Sequence, residues 1–522
     1  MQKDVSLRLP PAKAFVEKEL RKALKLADSD SYVILRRSID ARRKDILVDL
    51  NVCINPEKIE NQGIVLHDAV QGAGQVVIVG SGPAGLFAAL RLLELGIRPV
   101  VLERGRDVHT RRVDIAKIST AGTVDPESNY SFGEGGAGTY SDGKLFTRSK
   151  KRGDNDKVLG TFAAFGAPES ILYDAHPHIG TDKLPKIIEN MRNAVIAHGG
   201  SVLFRTRATG LKVSGGRCTG IVATDLDSGR ELEFDGPVIL AIGNAARDTF
   251  RMLCQSGALV EAKDLAVGVR LEHPQALIDQ IQYHNPRGRG SFLPAAEYSF
   301  ATQVDSPSGR VGVYSFCMCP GGFVVPAASD ADQVVVNGMS PSNRGSRWAN
   351  SGIVTEFPVS MLCSEDYLRS NPLAMMEKQQ ELEKLTYLAA GKTQKAPAQR
   401  MTDFLSRKTG SDTAVSSYAP GLTVTNLWEV LPSGICCALK SGLEVFSSQA
   451  RGFLTREATL IGTETRTSSP VRIVRDPETL ESISMPGLFP CGEGAGYAGG
   501  IVSAAIDGMR CAGKAASLVS RF

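Results

Sequence analysis

Gly80, Gly82 and Gly85 follow directly on the apolar run Val76–Val79, and an apolar stretch, Leu86 to Leu95, follows them. Arg98–Leu102 is a second strand-like run, closed by Glu103 and Arg104. Strand, glycine turn, helix, strand and acidic residue, in that order, suit a dinucleotide. Gly80 permits the turn, and Gly82 lets the backbone approach a pyrophosphate. Gly85 lets the helix, opened by Pro83 and Ala84, pack on the strand. The helix N-terminus offers unpaired N–H groups and the positive end of its dipole to phosphate. Glu103, 23 residues after Gly80, is placed to accept from adenosine ribose hydroxyls.

A second constellation stands near the C-terminus. Gly487–Glu493 reads as a short strand ending in Gly492 and Glu493, and Gly494–Gly500 is a glycine loop. Ile501–Leu518 then reads as a helix. Its first N–H groups, at Gly499, Gly500 and Ile501, would stabilise negative charge on a bound group. Residues 133–144 hold five glycines, among them Gly135, Gly136 and Gly138, with Ser141, Asp142 and Lys144. Backbone N–H groups there are expected to form a phosphate nest. Val238–Gly243 is an apolar strand ending in glycine.

Weaker catalytic candidates are His176, His178, Lys144 and Arg466. Imidazole titrates near neutral pH and could pass a proton. An arginine is the natural partner of a carboxylate or phosphate. Glu272-His273 is a further pair of this kind. Cys317 and Cys319 would share one face of a strand, and Cys436-Cys437 are adjacent, so either pair could relay electrons. Packing is the competing role for each thiol. His176-Pro177-His178 lacks a completing carboxylate or thiol cluster, so no metal is expected.

The elements that must position these groups fall into three parts. Residues 1–70 read as a small α+β unit in the order β-α-β-β, with a linker at 68–75. Residues 73–255 and 465–522 form a discontinuous Rossmann-type domain, and 256–464 form an α/β substrate or cap domain. A chain of 522 residues, 42% hydrophobic and 22% charged, is long enough for about three lobes and is not disordered. The net charge of +4 gives no global pull toward nucleic acid or membrane. Residues 1–50 carry 12 Lys/Arg against 8 Asp/Glu, which leaves an RNA-docking reading open as the alternative. Ten cysteines without a C-x-x-C, no signal core and no long apolar run point to a reduced, cytoplasmic protein.

The C-terminal constellation resembles the FAD motif of the glutathione-reductase-like flavoproteins, with Glu493 where Asp is usual. Val238–Gly243 resembles the middle motif of that superfamily. The resemblance implies non-covalent FAD held by the residues above. With no second glycine fingerprint and no paired redox cysteines, the chain is more similar to the geranylgeranyl reductase and hydroxylase-like groups.

Longer blocks narrow this further. They are Phe132–Leu145, Pro177–Asp182, Gly268–Gln275, Ser315–Gly322, Asn350–Gly352, Glu464–Arg472 and Pro490–Gly508. Together they resemble the FAD-dependent dehydrogenases also called NAD(FAD)-utilising dehydrogenases. The resemblance implies an α/β flavoprotein: a three-layer FAD-binding Rossmann-type domain, an α/β cap domain and the small N-terminal unit. The expected activity is hydride or electron transfer to or from a small organic substrate. NAD(P)H is a transient donor candidate and a protein electron carrier a candidate partner; membrane and nucleic acid are not expected partners.

Overall fold

The computed structural model describes residues 2–57, 64–70, 74–146, 153–307, 309–361 and 364–519. Cys363 and most of the Gly-rich stretch at 71–74 lie outside them. Between residues 75 and 490, five short apolar strands build one parallel sheet. Its order is Leu488–Pro490, Val238–Leu240, Gln75–Val79, Arg98–Leu102 and Ser201–Leu203. Val76, Val77 and Ile78 are fully buried, as continuous apolar runs in a sheet covered on both faces must be.

The chain enters this sheet at Gln75–Val79, lays the next two strands on one side, then crosses to the other for the last two. The order therefore reverses between Gln75–Val79 and Val238–Leu240. In open α/β sheets ligands bind at such a switch point, beyond the carboxyl ends of the strands. Helices Pro83–Glu94 and Ile501–Ala516 cross on one face so closely that a Cβ on Gly508 would lie 2.1 Å from the Ala84 carbonyl oxygen. The antiparallel strands Thr206–Ser214, Arg217–Asp225 and Glu231–Asp235 cover part of the other face. Gly215 and Gly216, at φ +56° and +74°, turn the first of these hairpins as their dipeptide predicts.

The cap is built on a seven-stranded sheet. Its order is Ala301–Ser306, Gly309–Cys319, Trp348–Phe357, Leu265–Pro274, Thr459–Glu464, Ala396–Arg400 and Leu422–Val424. Helices Ala374–Ala389 and Ser433–Gln449 pack on it through Met375, Leu382, Leu439, Leu443 and Phe446.

The N-terminal unit has the expected order. Leu47–Ile54 is the central strand, with Lys3–Leu9 and Tyr32–Asp40 antiparallel on either side. Val48, Leu50 and Val52 face its own core beside Leu20 and Leu24. Ile46 precedes the strand and packs with Ile39 and Ala41 against the cap core. Arg37 forks the Asp174 carboxylate at 2.7 and 3.1 Å, and its backbone pairs with Tyr173 and Ala175. Ala69 and Val70, in the stretch read as a linker at 68–75, donate to the His198 and Gly96 carbonyls, and the residues at 64–67 read as part of the N-terminal unit lie on the Rossmann core as well. Ile64, Leu66 and Ala69 pack on the Rossmann core, and His67 N–H donates to the Leu93 carbonyl.

Candidate functional site

The carboxyl ends of the central strands bring the glycine motifs together. Gly80 turns at φ +103°, and a Cβ there would lie 2.3 Å from the Ala241 carbonyl oxygen. A Cβ on Gly85 would lie 1.9 Å from the Gly80 carbonyl oxygen, so only glycine lets the helix start this close to the strand. Gly82 is the N-cap of Pro83–Glu94, and no side chain caps that end. Its first-turn N–H groups are thus left to a ligand. Gly492 closes the same helix end from the other side: its Cβ would stand 3.0 Å from Ala84 Cβ. An uncapped helix end walled by glycines fits the pyrophosphate of a dinucleotide.

Glu103 departs from the ribose reading. Its carboxylate accepts from Ser81 N–H (3.0 Å), Ser81 Oγ–H (2.7 Å), Gly105 N–H (2.8 Å) and Gly133 N–H (3.0 Å). Protein donors take up both oxygens, and the group clamps the phosphate turn to the loop at 133. Arg104 is likewise occupied, by Glu127 (2.8 Å), Asp248 (2.9 Å) and the Phe132 ring.

The loop at 133–141 turns most of its N–H groups inward, which leaves few of them for the expected nest. The N–H groups of Gly133, Glu134, Gly135, Gly136, Thr139 and Ser141 all donate within the protein. Gly133, Gly135 and Gly136 have positive φ, and Ser141 Oγ–H donates to the Gly138 carbonyl at 2.7 Å. Sequence reasoning missed what holds the loop. The fully buried Arg111 donates to the carbonyls of Asn129, Tyr130, Gly133, Glu134 and Gly136 at 2.8–3.2 Å. Burial pushes Arg111 down to about 10, still cationic at neutral pH. Gly138 meets the C-terminal helix: its Cβ would stand 3.3 Å from Ile501 Cγ1.

Gly243 and the C-terminal strand end lie side by side. A Cβ on Gly494 would lie 2.2 Å from the Gly243 carbonyl oxygen, and Asn244 Nδ2 donates to Glu493 Oε1 at 2.9 Å. Burial pushes Glu493 up to about 7, against the pull of Asn244 and the Lys263 charge. Gly499 and Gly500 are exposed and open the helix Ile501–Ala516 without a side-chain cap. Gly499 N–H donates to Ser503 Oγ at 3.3 Å.

The catalytic candidates separate into two places. Lys144, His176 and Glu297 meet at the seam between the Rossmann-type domain and the cap. Lys144 Nζ stands 3.5 Å from Glu297, and His176 Nδ1 bonds the same carboxylate. Burial pushes Glu297 up, but the His176 bond and the Lys144 and Arg344 charges outweigh it and hold it ionised. His178 Nε2 bonds the Ser342 carbonyl at 3.1 Å. Burial, then Arg344, pushes it down toward the neutral form. Arg466 lies elsewhere and is not free for an anion. It bonds the fully buried Glu383 at 3.0 and 3.1 Å, which also pairs with Arg247 at 2.6 Å.

The cysteine relays do not form. The strand Gly309–Cys319 has a bulge between Phe316 and Cys319, with Cys317 left-handed at φ +43°. Cys317 is therefore exposed while Cys319 is buried, 3.3 Å from Arg270 Nη2. Cys436 is buried, and burial pushes its thiol up to about 12. Neighbours on a helix diverge by about 100°, so Cys437 points elsewhere. His273 is a core histidine: it bonds the Phe453 carbonyl at 2.8 Å, and burial pushes it down to about 4. Glu272 accepts from Ser417. Cys491, Asp507 and Cys511 cluster in the core, but Arg475 forks the Asp507 carboxylate at 2.7 and 2.9 Å, which removes its charge from any metal.

A Rossmann-type sheet with an uncapped, glycine-walled helix at its switch point defines the dinucleotide-binding class. Residues 73–125 and 137–286 match families described as FAD binding domain, and 264–467 match "FAD-dependent protein, C-terminal domain-like". Residues 1–55 match a domain of unknown function. The chain belongs to the family of an uncharacterized protein of Clostridium beijerinckii (strain ATCC 51743 / NCIMB 8052), 39% identical over 98% of this chain and 97% of the relative. It is an FAD-binding α/β protein with an α/β cap domain.

Solved structures are more distant. A geranylgeranyl bacteriochlorophyll reductase-like protein of Thermoplasma acidophilum is 13% identical, covering 86% of this chain and 79% of that one, at TM-score 0.37. An E. coli quinol fumarate reductase is 12% identical, covering 86% and 70%, at TM-score 0.38. At these scores the assignment rests on the residues and the sequence families. Among the described residues no helix is long and apolar enough to cross a membrane.

Proposed function

We propose that the chain is an FAD-dependent oxidoreductase that exchanges a hydride or electrons with a small organic substrate under the cap. The supporting observation is the convergence of Gly82, Gly136 and Gly492 on one uncapped helix end at the switch point of the sheet. Bound FAD would supply the redox chemistry. The chain's own residues hold and orient it. Pro83–Glu94 presents backbone N–H groups to phosphate, and Ile501–Ala516 opens its positive dipole end at the exposed Gly499 and Gly500. Arg111 and Glu103 fix the walls between them.

The seam of Lys144, His176 and Glu297 is where a substrate proton would be held. Glu297 orients the His176 ring through Nδ1 and leaves Nε2 as the exchanging atom. NAD(P)H remains a transient donor candidate, a protein electron carrier a candidate partner, and the cytoplasm the expected compartment. Within the N-terminal unit Arg8, Arg37 and Arg42 pair with Asp40, Asp49 and Asp174, which takes three of its cations from the nucleic-acid alternative.

Anaerobic stopped-flow mixing of the FAD-loaded protein with NADH, NADPH and a panel of small organic reductants tests the reading. Slow, non-saturating bleaching by the nucleotides and faster bleaching by an organic compound are expected. A flavin that no donor reduces, and that no acceptor reoxidises after photoreduction, would refute it.

A further inference from the structure

Behind Glu493 lie two cations that the proposed chemistry does not use. Lys263 follows the strand Val260–Ala262, and Arg472 lies on Val471–Ile473; these strands pair antiparallel, Ala262 opposite Val471. The Lys263 N–H donates to the Pro470 carbonyl at 3.0 Å, which brings the lysine across to the loop before Arg472. Lys263 Nζ donates weakly to Ser468 Oγ (3.3 Å) and to the Asp264 carbonyl (3.4 Å). Arg472 lies over the Tyr497 ring, 5.5 Å from its centroid. Among the described residues neither cation forms an ion pair, although Glu261 stands opposite Arg472 in the register.

The strand that carries Arg472 is held against the loop that follows Glu493, with Lys263 half-buried and Arg472 exposed. Ser469 Oγ–H donates to the Gly494 carbonyl at 3.0 Å, and Ile473 N–H to the Ala495 carbonyl at 3.2 Å. A Cβ on Gly496 would lie 3.3 Å from Arg472 Cα. Glu493 precedes this loop, and Gly492 before it touches Ala84 on the first turn of the phosphate helix. Burial and the neighbouring Arg472 charge push the Lys263 ammonium down, and the carboxylates of Asp264 and Glu493 offset this only in part.

We infer that Lys263 and Arg472 form a phosphate site beside Glu493, next to the switch point. The inference rests on the proposed function only for the source of the phosphate. That source is either the pyrophosphate of FAD or a phosphate of a second nucleotide docking in the cleft. Lysine here supplies a point charge and arginine a planar fork, the two usual modes of holding phosphate.

Three titrations test it on the full-length chain: inorganic pyrophosphate and FAD into apoprotein, and 2′,5′-ADP into FAD-loaded protein. Each uses wild type, Lys263→Met, Lys263→Arg and Arg472→Met, with circular dichroism to confirm folding. Pyrophosphate affinity is expected to fall about tenfold or more in Lys263→Met and Arg472→Met, and to be largely kept in Lys263→Arg. A parallel loss for FAD assigns the site to FAD; a loss confined to 2′,5′-ADP assigns it to the second nucleotide. Unchanged affinities in folded Lys263→Met and Arg472→Met overturn the site, even where FAD binds normally. A wild type that binds pyrophosphate through Lys263 but takes no FAD keeps the site and removes the proposed function instead.

Discussion

Gly136 lies directly on Gly82: a Cβ added to Gly136, at φ +62°, would stand 3.1 Å from Gly82 Cα. The loop that follows the second strand thus closes over the first turn of the phosphate helix. Gly82 itself has room for one carbon, whose nearest neighbour would be Gly136 Cα at 3.8 Å. The glycine requirement is therefore graded along the motif. Gly80 and Gly85 are needed for packing, whereas Gly82 is needed only for what approaches the helix end.

Glu493 makes the apoprotein pH-dependent near neutrality. Its folded pKa, about 7, lies above the ordinary carboxylate value, so folding favours the protonated form. That stability is fully present below about pH 4 and is lost as the pH rises through about 7. Glu493→Gln removes the loss. Thermal melts of apoprotein should show the variant gaining on wild type between about pH 5 and pH 8, while a constant offset would contradict the burial of this group.

The fully buried Arg270 donates to Glu464 at 2.8 and 3.0 Å and to Asn350 at 2.8 Å. Gly338 leaves the space for it, since a Cβ there would lie 2.2 Å from the guanidinium. Arg270→Met strands Glu464, 2% exposed, at a cost of about 3–5 kcal/mol. Arg270→Met with Glu464→Leu should recover most of it. Urea unfolding of the two variants checks this; equal loss in both would show that packing dominates.

The N-terminal unit closes on its own core yet is also docked, through Arg37 to Asp174 and through Ile39 and Ile46 to the cap. A chain starting at Gly74 should therefore still bind FAD but melt lower and bind a hydrophobic dye. Loss of FAD from that folded truncation would place the unit in the cofactor site.

Much of this was legible in the sequence because it depends on local rules. Val76–Val79 could only be a doubly covered strand, and Gly80, Gly82 and Gly85 are spaced for one turn. The N-terminal strands follow from alternation at Val48, Leu50 and Val52. What was not legible depends on distant partners. The Glu103 donors Gly105 and Gly133 and the Arg466 partner Glu383 are set by tertiary contacts that no spacing encodes. Arg111 sits in an unremarkable helix, and its role appears only when the carbonyls of residues 129–136 are folded around it. Cys317 and Cys319 part company because a bulge breaks the alternation that strand reasoning assumes.

The central claim, that FAD lies on the uncapped end of Pro83–Glu94, is tested most directly at Gly82. Flavin released by acid from wild type, Gly82→Ala and Gly82→Leu should be identified by chromatography and counted per chain. The account predicts about one FAD per chain in wild type, partial retention in Gly82→Ala, and almost none in a folded Gly82→Leu, whose side chain would occupy the phosphate position. Full FAD content in Gly82→Leu, or a wild type that carries no FAD and takes none up, would contradict it.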